Sequence, residues 1–201
     1  MESALDLFIA RELDATLANI TAVHADTGLR ETIKKISIVM MDALKAGNTL
    51  LFAGNGGSAA DSQHIAGEFV SRFHFDRAGL PAIALTTDTS ILTAIGNDYG
   101  YEFVFSRQIE ALGRKGDVFI AITTSGNSPN IIKAIEAARK KGLIVVGLTG
   151  RTGGKMKAMC DHCLSIPSDS TPRIQEGHLA SYHLICGLIE ETMFGGAKSK
   201  Y

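Results

Sequence analysis

The sequence predicts a doubly wound α/β fold with a parallel sheet covered on both faces. Three observations carry this expectation. After Gly47, short apolar runs at residues 49–53, 82–85, 118–122, 144–148 and 163–166 read as continuous rather than alternating, the pattern of strands buried on both sides. Each run gives way to a turn-rich stretch and then to helical spacing, the alternation that builds parallel sheets. The length of 201 residues with 45% hydrophobic content suits one well-buried core better than two average domains.

Taken in order, residues 3–24 place Leu5, Phe8, Ile9, Leu13, Leu17 and Ile20 at steps of three and four, and Ile33, Ile36, Met40 and Leu44 repeat the spacing. Two amphipathic helices therefore open the chain. The first precedes any strand able to cover it, so its stripe packs either on a partner subunit or on its own domain. One domain is expected over residues 1–201, with a helical segment at 1–47, an α/β core at 48–194 and a frayed tail at 195–201. There is no internal repeat and no low-complexity tract.

The bulk numbers exclude several classes. A formal net charge of -1 argues against nucleic acid or an anionic membrane surface as partner. Cys160, Cys163 and Cys186 make an odd count that fits no disulfide framework and suits a reducing, cytoplasmic setting. Acids interrupt the apolar positions of the amino terminus, unlike a secretory signal, and no stretch reaches the roughly 20 apolar residues of a membrane span. A soluble protein that binds small molecules or copies of itself is expected.

In doubly wound sheets ligands bind beyond the carboxyl ends of the strands. The first run leads into Gly54-Asn55-Gly56-Gly57-Ser58 and a helical stretch at 59–70; the third leads into Thr123-Thr124-Ser125-Gly126-Asn127-Ser128, with Pro129 opening a helix at 129–141. Small and hydroxyl residues at a helix amino terminus let backbone N–H groups close around an anion. Two such loops after two different strands point to a phosphate. Gly54-x-Gly56-x-x-Ala59 is a loosened dinucleotide fingerprint, but no acid follows about 20 residues on, and no P-loop motif is present. No organic cofactor is expected.

His64 and Glu68 stand four apart on one face of the helix that starts at the first loop. Thr171-Pro172 opens a last helix on which Gln175 and His183 are about 80° apart and face one cleft, while His178 lies on another side. A base, an acid and oxygen-stabilising donors are what a carbonyl shift between neighbouring carbons of a sugar phosphate requires. The set His64, Glu68, Gln175 and His183 could equally hold zinc; spacing does not separate the two uses. His24 and His74 read as surface residues, His162 as strand-adjacent, and Cys160-x-x-Cys163 as structural.

Six motifs occur in order: Gly54-Asn55-Gly56-Gly57-Ser58-Ala59-Ala60-Asp61, His64-x-Ala66-x-Glu68, Gly96-Asn97-Asp98-Tyr99-Gly100, Thr124-Ser125-Gly126-Asn127-Ser128, Leu148-Thr149-Gly150 and Arg173-Ile174-Gln175-Glu176-Gly177-His178. With them the chain resembles the SIS-domain sugar isomerases, and among them the phosphoheptose isomerases, over essentially its whole length. The resemblance implies a flavodoxin-like αβα sandwich and a homotetramer, built through the N-terminal helices, with shared active sites. The implied reaction interconverts D-sedoheptulose 7-phosphate and D-glycero-D-manno-heptose 7-phosphate, the first step toward ADP- or GDP-heptose for surface polysaccharides such as lipopolysaccharide. It further implies substrate contacts from Asn55, Gly56, Gly57, Ser58, Glu68, Asn97, Asp98, Thr123, Thr124, Ser125, Ser128 and Gln175. Glu68 and His183 would be the acid–base pair, with their division between carbon and oxygen open. Zinc would sit on His64, Glu68, Gln175 and His183. Pro172 departs from relatives that carry an acid there. Similar non-catalytic SIS scaffolds bind the replication initiator, but that branch tends to lack the Glu68 and His183 pair.

Overall fold

The structure, a computed structural model, describes residues 3–195; the expected tail beyond Gly195 lies outside the described residues. The element order is α1 (Ala4–Ala25), α2 (Thr27–Lys45), β1 (Leu50–Gly54), α3 (Gly57–Val70), β2 (Ala82–Ala84), α4 (Thr89–Asp98), α5 (Ser106–Leu112), β3 (Val118–Ile122), α6 (Pro129–Lys141), β4 (Ile144–Thr149), β5 (His162–Ser165) and α7 (Thr171–Phe194). All five strands pair in parallel in the order β2-β1-β3-β4-β5. That is the flavodoxin-like order, whose switch point lies between β1 and β3.

The strands alternate between two cores. Leu50, Phe52, Ile120, Ile122, Val146 and Leu148 face a layer made with α2, α3 and α7. Leu51, Ala53, Phe119, Ala121 and Val145 face the layer of α5 and α6. Both faces are dry, which is why the runs show no polar alternation.

Each expected strand is present with no end moved by more than one residue: β3 matches at both ends, β1 takes in Gly54, and β5 begins at His162, which therefore belongs to the strand. The helix after the first loop starts at Gly57 rather than at residue 59. The helical spacing expected after the 82–85 run is two helices, α4 and α5, on either side of a 3-10 turn at Tyr101–Phe103; the first is set by Asp88, whose side chain accepts from Ile91 N at 2.9 Å.

The second helix buries Ile33, Ile36, Met40 and Leu44 as its spacing predicts. The first does not bury its stripe in its own fold. Leu5, Leu13 and Leu17 are 73%, 65% and 66% exposed, and only Asn19 and Val23 are buried.

Candidate active site

The two loops meet at the switch point. Asn55 and Asn130 exchange reciprocal amide hydrogen bonds of 2.9 and 2.8 Å, and the Tyr101 hydroxyl donates to Asn55 Oδ1 at 3.3 Å. Gly56 adopts φ +56°, a conformation that disfavours a side chain, and a Cβ on Gly57 would fall 2.4 Å from Gln175 Nε2. α7 therefore brings Gln175 against the first turn of α3.

Helices α1, α2 and α4 are capped by the side chains of Ser3, Asp26 and Asp88. Helices α3, α6 and α7 have no side-chain cap. The Ser128 hydroxyl, at the cap position of α6, is turned instead to Thr123 Oγ1 at 2.9 Å, with Ser125 Oγ 3.3 Å from the same atom. Uncapped first-turn N–H groups beside a fan of hydroxyls suit an anion. Thr123 and Ser58 are buried, Asn55, Thr124 and Ser128 half-buried, and Gly56, Gly57 and Ser125 open.

Two to three turns along α3, His64 Nε2 lies 2.9 Å from Glu68 Oε1. The Tyr182 hydroxyl lies 3.0 Å from Nδ1 of the same ring, so both ring nitrogens have a polar partner. The His183 ring centroid is 5.1 Å from that of His64 at 77°. One ligand atom from each of His64, Glu68 and His183 lies within 4.8 Å of the others. Burial, together with the neighbouring His64, pushes the His183 imidazole pKa below its ordinary value, so the ring is neutral near pH 7. Asp61, one turn before His64, has its carboxyl pushed up by burial against the pull of His64.

Of the expected site residues, the structure gathers Asn55, Gly57, Gln175 and the Thr123–Ser128 hydroxyls at the crevice, and His64, Glu68 and His183 beside it. Asn97 and Asp98 bond each other at the exposed end of α4, and among the described residues neither side chain is hydrogen-bonded to a loop. His178 faces the core, as its helical angle predicts. Tyr182, Asn130 and Tyr101 escaped sequence reasoning. Tyr182 reads as one more apolar position of α7, whereas Asp61 stood inside a motif with no role attached.

A SIS domain model matches residues 14–150. The chain is 58% identical over 187 residues to the phosphoheptose isomerase of Aneurinibacillus thermoaerophilus, covering 93% of this chain and 94% of that protein. The solved phosphoheptose isomerase GmhA from Neisseria gonorrhoeae matches with TM-score 0.88 at 42% identity, covering 94% of this chain and all of that one. A phosphoheptose isomerase from Francisella tularensis matches with TM-score 0.89 at 35% identity, over 94% and 99% of the two chains. On a domain match over more than half its length and relatives this similar over nearly all of it, the chain belongs to the SIS-domain family, in its phosphoheptose isomerase branch.

Proposed function

We propose that the protein is an aldose–ketose isomerase that converts D-sedoheptulose 7-phosphate to D-glycero-D-manno-heptose 7-phosphate at the start of activated-heptose synthesis. The observation that carries the reading is the meeting of His64, Glu68 and His183 beside a crevice headed by two phosphate-type loops. The names of the relatives supply the substrate.

With the phosphate held by Gly56, Gly57, Thr124, Ser125 and Ser128, the open-chain sugar lies along α3 toward Glu68. The Glu68 carboxylate takes the proton from C1; the C1–H electron pair becomes the C1–C2 double bond and the carbonyl pair moves onto O2, which receives a proton managed by His183. The enediol then loses the O1 proton to His183 and regains a proton at C2 from Glu68. The net change is one hydrogen from C1 to C2 and one from O1 to O2, and a carboxylate with a neutral imidazole suffices for the transfers.

We assign zinc to His64, Glu68, Gln175 and His183. The nitrogen and oxygen donors of the first, second and fourth converge closely enough to share one ion, a set that suits zinc with room for substrate. The ion supplies Lewis-acid polarisation of the carbonyl when bound. Gln175, at the Gly57 end of the cleft, is proposed both as the fourth donor of this set and as a substrate contact.

The protein is proposed to act in the cytoplasm as a homotetramer with shared active sites. The bare apolar stripe of α1 supports this assembly; among the described residues, no helix is long and apolar enough to cross a membrane.

The test is turnover of sedoheptulose 7-phosphate in a coupled assay. Glu68→Gln and His183→Gln should each lose roughly 100- to 10,000-fold in kcat, and full activity in both would end the reading. Chelation followed by zinc addition should remove and restore turnover if the ion takes part.

A further inference from the structure

We infer that Arg77 and Glu190 are positioning residues for the acid–base pair, joining the backbone that carries Glu68 to the backbone that seats His183. The inference rests on the isomerase reading above. It starts from an ion pair that the proposed chemistry does not use: Arg77 Nε lies 2.9 Å from Glu190 Oε1, with side chains only 3% and 1% exposed.

An α-helix leaves its last four carbonyls without intrahelical partners. In α3 these belong to Gly67, Glu68, Phe69 and Val70. Ser71 N–H serves Gly67 at 2.9 Å. Arg77 serves the next two: Nη2 donates to the Glu68 carbonyl at 2.8 Å and Nη1 to the Phe69 carbonyl at 2.8 Å, with further bonds from Nη1 to Ser71 and Ala78. The guanidinium fork thus closes the turn on which Glu68 stands, at the helix end where a cation is favoured.

Glu190 completes the other half. It lies on α7 seven residues, about two turns, beyond His183 and so on nearly the same face. Its carboxylate accepts the backbone N–H of Phe73 at 2.9 Å and of His74 at 2.5 Å. Burial pushes the Glu190 carboxyl up, but those two N–H groups and Arg77 outweigh it and hold it below the ordinary value. Phe73, pinned in this way, packs its ring against His183 with centroids 5.6 Å apart. One ion pair therefore fixes Glu68 through its own carbonyl and His183 through Phe73, while touching neither phosphate loop.

The experiment compares wild type, Arg77→Lys and the apolar double variant Arg77→Met/Glu190→Leu, reading kcat and KM for sedoheptulose 7-phosphate beside the thermal midpoint. Lys keeps the charge opposite Glu190 but cannot reproduce a planar fork on several carbonyls. The double variant removes both buried charges together, a change that folds often tolerate. Both should fold, with kcat down about tenfold in the first and more in the second, and KM within twofold of wild type. A folded variant with kcat within twofold of wild type, or with the loss in KM instead, would overturn the inference. Loss of folding in both would do so too, by making the pair a determinant of the fold alone. A wild-type chain without turnover would sink the isomerase reading and this inference together; an active wild type beside a fully active Arg77→Lys would sink this inference only.

Discussion

His178 shows how one buried group ties stability to pH. It is wholly inaccessible, and its Nε2 donates to the Thr149 carbonyl at 3.1 Å while Nδ1 has no partner. Burial lowers its pKa from 6.5 to about 4. Between those values the unfolded chain binds a proton that the folded chain refuses, so stability is intact above about pH 6.5 and is lost as pH falls toward 4. The full loss is on the order of 3 kcal/mol. Urea midpoints between pH 7 and pH 4.5 should fall for wild type, and the part due to this ring should vanish in His178→Asn.

At the scale of elements, the Asn55–Asn130 amide pair links the loop that feeds α3 in one layer to the first turn of α6 in the other. Asn130→Ala leaves the Asn55 amide without its partner, a loss of one or two hydrogen bonds worth about 1 kcal/mol each. The expected outcome in initial-rate kinetics is KM raised roughly tenfold with kcat changed less than threefold, since Glu68 and His183 stand elsewhere. An unchanged KM would show the loops to be independent. The strands and the loop helices were legible because continuous apolar runs and glycine or hydroxyl punctuation are local signals. His64, Glu68 and His183 were legible because helical spacing fixes which residues share a face. Tyr182, Asn130 and Arg77 were not, because each acts through a partner 75 or more residues away in sequence, namely His64, Asn55 and Glu190. The bounds of α4 were hidden because the helix is only ten residues long and none of them is buried.

At the scale of the molecule, α1 offers a row of bare leucines that none of the described residues covers. If this helix builds the proposed tetramer, Leu13→Lys/Leu17→Lys should lower the sedimenting mass without changing the far-ultraviolet spectrum, because neither residue packs in the fold. A variant that keeps the full wild-type mass would move the interface elsewhere. The sheet, meanwhile, sends the two loops proposed to hold phosphate to helices in opposite layers, but His64, Glu68 and His183 all stand in the layer of α3 and α7. Grip and chemistry are therefore separable by descent: a few substitutions confined to two helices can silence proton transfer and leave a lineage of sugar-phosphate sensors on an unaltered frame.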